Sequence, residues 1–296
     1  MRALASANRA PGDTQRIARL AHAERELLDG RYEIVSLIGS GGMAEVFVAR
    51  DCRLERMVAV KRPRRDLGED TEISERLQRE AMALAAIDSP HVVAIHDVGA
   101  SPHGVYLVMQ RLIGRTLDAE IGGNGPVSAA QACRIARDIL IGLAAVHAGG
   151  LVHRDLKASN VLLDRTDRAV LLDLGAALHL RRRSLTAPGM LLGTPECMAP
   201  EQLAQAPLDG RVDLFQLGLI LIYLVTGTMV QSAVDPTQLA IPPALRDVIS
   251  CALAPVEARY ASAAEMRSAL DHALDHALAT CTLEPFDPAS DGPTLR

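Results

Sequence analysis

The chain of 296 residues is too long for one small core, so a two-lobed body is the natural expectation. A net charge of −5 and a pI near 6.0 exclude bulk nucleic-acid binding as the organising function. Hydrophobic residues make up 49% but aromatics only 2%, with no Trp, so aliphatic side chains must supply nearly all the packing.

Met1 to about Gly30 reads as an N-terminal extension, with helical potential from Thr14 to Leu28 that brings Ile17, Leu20, Ala21, Leu27 and Leu28 near one face. Met1 to Pro11 lacks the sustained apolar stretch of a secretory signal. The cysteines (Cys52, Cys133, Cys197, Cys251, Cys281) are scattered and lack metal-ligand spacing, which suits a reducing cytoplasm better than a disulfide framework.

From Arg31 the pattern becomes β. Tyr32 to Ile38, Ala44 to Arg50 and Met57 to Arg62 read as three antiparallel strands. The first turn is Gly39-Ser40-Gly41-Gly42, where glycine lets backbone N–H groups approach phosphate oxygens. Hairpins use glycine routinely, so this turn gains weight only from its neighbours. Val46 follows it, and Ala59 and Lys61 share one face of the third strand. Small Ala59 leaves room for a flat ring, and Lys61 can reach phosphates beyond it.

Thr71 to Ile87 reads as a helix ended by Ser89-Pro90. Its apolar stripe of Ile73, Leu77, Leu84 and Ile87 includes Glu80. An inward carboxylate needs a partner, and Lys61 is the candidate. His91 to Ala100 and Gly104 to Met109 read as two further strands, with Gln110-Arg111-Leu112 as the hinge out of the sheet. A long helix from about Ser128 to Ala148 buries Ile135, Ile139, Leu143 and Val146, and Gly149-Gly150 closes it.

Next comes the stretch richest in chemistry, Leu151 to Gly175. Short apolar runs at Leu151-Val152, Asn160 to Leu163 and Ala169 to Leu172 read as strands separated by polar turns. They bring together Asp155, Lys157, Asn160 and Asp173. Two carboxylates, an amide and an ammonium so held can bind metal ions and orient a hydroxyl. Lys61 and Lys157 are the only lysines; every other basic residue among the 31 is Arg. An Arg-biased chain keeps a primary amine where a planar, permanently charged fork would not serve.

Leu214 to Val225 is the most hydrophobic run, with Asp213 as a helix cap. At about a dozen residues it falls short of the roughly 20 that span a bilayer, so a buried core helix and no membrane segment are expected.

In this order, these motifs resemble the eukaryotic-like (Hanks-type) serine/threonine protein kinases of bacteria, over roughly Arg31 to Leu270. The resemblance implies an α+β, bilobal fold: a small antiparallel β lobe with one helix at about 31–110, and a larger, mainly α lobe at about 111–278. Residues 279–296 are left as a disordered tail. It implies ATP with Mg2+ or Mn2+ as cofactors and γ-phosphoryl transfer to Ser/Thr hydroxyls of proteins. Self-association for trans-autophosphorylation follows, with no nucleic-acid partner.

The family roles carry over residue by residue. Ile38, Gly39, Ser40, Gly41 and Gly42 would cover ATP, although Ala44 replaces the last glycine of the usual loop. Lys61 would hold the α- and β-phosphates, paired with Glu80. Val46, Ala59 and Leu162 would sandwich adenine behind a Met109 gatekeeper, with the Gln110 carbonyl and Leu112 amide on its edge. Asp155 would orient the acceptor hydroxyl and take its proton. Lys157 would neutralise the γ-phosphate and favours Ser/Thr acceptors. Asn160 and Asp173 would bind the metal, in a DLG that replaces DFG.

Arg154 implies control by a loop phosphate, at Ser184 or Thr186, and Thr194 would brace Asp155 and Lys157. Asp213 resembles the residue that ties its helix to the catalytic loop, and Arg259 the partner of Glu201. Cys197 reads as a small apolar residue. The departure from the family is Thr228 to Pro243, a trimmed stretch where relatives carry a substrate-docking helix. Two other classes share parts of this set: a nucleotide-binding pseudokinase scaffold, and a small-molecule phosphotransferase, which usually lacks the Lys157 type and the GTPE to APE segment.

Overall fold

The computed structural model describes residues 26–40, 44–64, 81, 85–101, 104–173, 197–229 and 235–281, the last six by backbone alone. The chain divides into two compact units, one of Met1–Ala85 with Ala94–Leu112, the other of Ala86–Val93 with Ile113–Arg296.

The first unit is built on a sheet of β1 (Leu27–Leu28), β2 (Tyr32–Ser40), β3 (Ala44–Asp51), β4 (Arg56–Pro63), β5 (Ile95–Ser101) and β6 (Gly104–Gln110). Its order is β1-β2-β3-β4-β6-β5, and every pairing is antiparallel. The expected strands at Tyr32, Ala44, Met57 and Gly104 are present. The helix expected to run through Leu28 is corrected: Leu27 and Leu28 are a strand paired with Glu33 and Tyr32. Asp29 and Gly30 both take positive φ, 48° and 63°, and the Arg31 amide donates to the Leu28 carbonyl, a reversal that an Asp-Gly pair favours. Leu28 is thereby buried with Tyr32, Ala49, Val58, Val60, Tyr106 and Val108.

The strand expected from His91 begins only at Ile95. His91 and Val93 belong to the other unit, where they bond Leu171: the Leu171 amide donates to the His91 carbonyl, and the Val93 amide to the Leu171 carbonyl, both at 2.9 Å. The His91 ring nitrogen Nδ1 lies 2.9 Å from the Ala169 carbonyl.

The second unit holds a small sheet of β7 (Gly114–Thr116), β8 (Val161–Asp164) and β9 (Ala169–Leu171), in that order. Leu151-Val152, expected as a strand, is irregular, and β7 takes the third place. Gly114 makes that approach feasible, because a Cβ there would stand 2.0 Å from the Leu163 carbonyl oxygen. Asp164 closes the β8–β9 turn. Bonds from the Thr166 hydroxyl and amide, among others, hold its carboxyl down to about 2.

The helices are α1 (Leu117–Asn124), α2 (Ala129–Ala148), α3 (Pro200–Leu203), α4 (Arg211–Thr226), α5 (Pro243–Ala252) and α6 (Ala263–Cys281). The Ser128 hydroxyl caps α2, and Ile135, Ile139, Leu143 and Val146 are buried as their spacing requires. α4 is buried from Val212 to Leu224, which explains a run apolar on all sides. Asp213 is not its cap. The helix starts two residues earlier, after Gly210, and Asp213 lies in the first turn with its carboxylate turned to another task. α6 runs to Cys281, so the tail expected from residue 279 cannot start there.

Candidate active site

The loop from Leu151 to Lys157 forms no strand of its own, and α4 supplies the substitute. Asp213 is fully buried, and its carboxylate accepts the backbone N–H of His153 at 2.9 Å and of Arg154 at 2.7 Å. His147 Nε2 stands 2.7 Å from the same carboxylate. One turn on, the Gln216 side chain accepts the Leu156 amide at 2.9 Å and donates to the Arg154 carbonyl at 3.0 Å. Gln202, from α3, donates to that same carbonyl at 2.8 Å. These bonds hold Arg154 at a φ of 66°, a left-handed backbone that costs a non-glycine residue about 1–2 kcal/mol.

That conformation presents Asp155. Its Oδ2 meets Lys157 Nζ at 3.0 Å and Asn160 Nδ2 at 3.2 Å, and Asn160 Nδ2 also donates to the Asp155 carbonyl at 2.8 Å. Among the described residues Oδ1 takes no hydrogen bond, so one carboxylate oxygen is fixed and the other keeps its acceptor capacity. With the Asn160 amide nitrogen committed, its oxygen is the atom left for a cation. The Asn160 carbonyl accepts the Leu172 amide at 2.9 Å, which ties it to the residue before Asp173. An amide oxygen and a carboxylate form a hard-oxygen pair of the kind that holds Mg2+ together with substrate phosphates. The donor set fits the metal.

His153 is wholly buried, and neither ring nitrogen has a partner among the described residues. Burial holds its pKa below the ordinary value, so the ring is neutral. Arg154 Nε is also buried without a hydrogen-bond partner among the described residues.

In the sheet unit, register does the placing. Val46 stands opposite Lys61, and Val48 opposite Ala59, so these four share a face while Val58 and Val60 point to the core behind. Met109 pairs with Ala59 across β4 and β6 and is buried. The Gln110 amide donates to the Ala94 carbonyl at 2.8 Å, and Leu112 ends the unit. Gly39 and Ser40 are the last residues of β2, opposite Val46 and Glu45; Ile38, just before them, is exposed. Leu162, in β8 of the helical unit, is buried.

Arg259 and Glu201 meet as expected, in a two-pronged pair at 2.5 and 3.0 Å, with the Arg259 guanidinium over the Phe215 ring. Gly41, Gly42, Glu80, Ser184, Thr186 and Thr194 lie outside the described residues. Gln216 and Gln202 are the site-supporting residues that sequence reasoning missed. Gln216 carried a usable signal, because an amide inside an otherwise apolar buried helix must find partners. Gln202 carried none.

The model of the protein kinase domain matches residues 32–279. The chain belongs to the protein kinase family. The curated proteins it resembles include bacterial serine/threonine-protein kinases. It is 36% identical over 200 residues to the serine/threonine-protein kinase PrkC of Bacillus subtilis, covering 68% of this chain and 31% of that protein. With PknB of Mycobacterium tuberculosis it shares 35% over 267 residues, 82% of this chain and 43% of the relative. The chain thus spans less than half the length of these curated relatives. Among solved structures, the PknI kinase domain of M. tuberculosis superposes with a TM-score of 0.69 at 26% identity, over 86% of this chain and 99% of that one. The fold is accordingly that of a protein kinase, an antiparallel β lobe and a helical lobe. In this kinase Asp213 of α4 holds the loop that carries His153 and Asp155.

Proposed function

We propose that this kinase transfers the γ-phosphoryl group of ATP to Ser/Thr hydroxyls of proteins, itself included. The observation that carries the reading is the Asp155 carboxylate, with one oxygen locked by Lys157 and Asn160 and the other unbonded among the described residues. An acceptor hydroxyl bound to Oδ1 would be aimed at the phosphorus and would pass its proton to Asp155, late in a loose transition state. Lys157, already beside Asp155, keeps donors for the γ-phosphate. Lys61 would hold the α- and β-phosphates. The Asn160 oxygen and Asp173 would hold Mg2+ or Mn2+, whose contribution is to neutralise charge on the transferring group.

Arg154 Nε, buried and without a partner among the described residues, supports regulation by a phosphate at Ser184 or Thr186, since a buried guanidinium nitrogen is a receptor for an anion. Among the described residues no helix is long and apolar enough to cross a membrane. The reading places this kinase domain in the cytoplasm, on the side of the ATP supply.

The test is incubation of the chain with labelled ATP and Mg2+, beside Lys61→Met and Asp155→Asn. Transfer to itself and to generic basic proteins is expected, reduced at least about 100-fold by Asp155→Asn. Phosphate should map to Ser184 or Thr186 by mass spectrometry. Thermal stabilisation by ATP without transfer would instead make the chain a scaffold, and labelling of a small alcohol alone would make it a small-molecule phosphotransferase.

A further inference from the structure

Residues 26–31 precede the stretch matched by the kinase family, yet they are tied into the sheet at several points. The Glu26 carbonyl accepts the Ile34 amide at 2.9 Å, and Leu28 lies in the core behind the sheet. The Tyr106 hydroxyl donates to Asp29. Arg31 makes a two-pronged pair with Asp51 at 2.9 and 2.8 Å and reaches Asp97 at 2.9 Å.

The contact with most leverage is Glu26 with Arg62. Arg62 Nη1 lies 2.6 Å from Glu26 Oε1, and the guanidinium is stacked 4.4 Å over the Phe47 ring. Arg62 is 4% exposed and its Nε has no partner, so among the described residues Glu26 is the carboxylate that compensates a buried charge. The strand order β1-β2-β3-β4 means that this pair spans β2 and β3, joining the segment before β1 to β4.

Where the pair acts, β4 is paired on one side among the described residues. Its ladder with β6 ends at Lys61, opposite Leu107, and beyond that residue only β3 continues, through Glu45 opposite Arg62 and Ala44 opposite Pro63. Glu45 in turn faces Ser40, at the start of the glycine turn. Side chains of neighbouring strand residues leave opposite faces, so fixing Arg62 on the far face fixes the direction of Lys61 on the near one.

We propose that Glu26 is a positioning residue for nucleotide binding, acting through Arg62 on the direction of Lys61. The proposal rests on the kinase reading, in which Lys61 holds phosphates.

The experiment titrates Mg-ATP binding to the full chain, with no phosphoryl transfer needed for the readout. Glu26→Ala is expected to raise the Kd for Mg-ATP about tenfold. It should leave kcat at saturating ATP within about twofold, because only ground-state holding is lost. Arg62→Leu should do the same, and the double variant no more than Arg62→Leu alone. Adding Glu26→Ala to Lys61→Met should shift the Kd no further. If Glu26→Ala does not fold, Glu26→Gln, which keeps the hydrogen bond and removes the charge, is read by the same titration and should raise the Kd in the same direction. A Kd left unchanged beside a lowered Tm makes Glu26 a brace only and overturns the proposal. A further loss in the Lys61→Met background also overturns it. Absence of Mg-ATP binding by the unaltered chain would overturn the kinase reading and this proposal together.

Discussion

The two units position their functional side chains by different physics. In the sheet unit the placement is periodic: Val46, Val48, Ala59 and Lys61 share a face because strands alternate and their register is set by a ladder of backbone bonds. In the helical unit the loop that carries Asp155 has no ladder. His153 N, Arg154 N, Arg154 O and Leu156 N end on side chains, those of Asp213, Gln216 and Gln202. A ladder distributes its load over many bonds, so one substitution changes little of the placement, except at an end such as Lys61, where the β4–β6 ladder stops. A loop hung on buried carboxylate and amide groups concentrates it. Sensitivity to mutation should therefore differ in kind between the two units.

The largest expected effect is in the loop. Asp213→Ala leaves two backbone donors and His147 without their buried acceptor, and should cost about 3–5 kcal/mol of stability. Arg154 then loses what holds its left-handed φ, so kcat should collapse in the fraction that still folds. Urea unfolding followed by single-turnover transfer checks both, and a variant that unfolds like wild type would show that the loop does not depend on α4.

A smaller effect, of a different type, is expected from the sheet. Ala59→Leu adds bulk on the face shared with Lys61 while the ladder persists, so stability should fall by about 1–3 kcal/mol. KM for ATP should rise with kcat little changed. A fall in kcat at unchanged KM would break the contrast between the units.

The smallest effect is on pH dependence. Burial holds His153 below its unfolded value of about 6.5, so the unfolded chain takes the proton first. This group's contribution is therefore complete above about pH 6.5 and declines as pH falls below it. Tm should drop between pH 7.5 and 5.5, and His153→Phe should flatten part of that slope. His96, whose pKa burial and Arg56 also lower, accounts for some of the remainder.

The same contrast decides what could be read without coordinates. Period-two alternation in Val58 to Lys61 is local, and it placed Ala59 beside Lys61 correctly. The all-apolar run at Leu214 was legible as a buried helix, because a segment that offers water no polar face has to be enclosed. The family motifs brought Asp155, Lys157 and Asn160 together, and the structure does so within hydrogen-bond distance. Errors arose where a short segment suits more than one neighbour. Leu27-Leu28 fits a helical stripe or an edge strand equally, and the reversal at Asp29-Gly30 chose the strand. His91 to Val93 is apolar enough for the large sheet but bonds to β9 instead.

Sequence alone thus determined which groups stand together: Asp155 with Lys157 and Asn160, and the face of β4 that Lys61 shares with Ala59. Such information lies in residue identity and near-neighbour spacing, which no folding step alters. The tertiary structure alone decided what holds the site in shape. Asp213 and Gln216 lie about sixty residues from the backbone groups they hold, and Glu26 lies 36 residues from Arg62. Pairings over such distances follow from which buried polar group is left nearest to another when the chain has closed, and local pattern does not encode that choice.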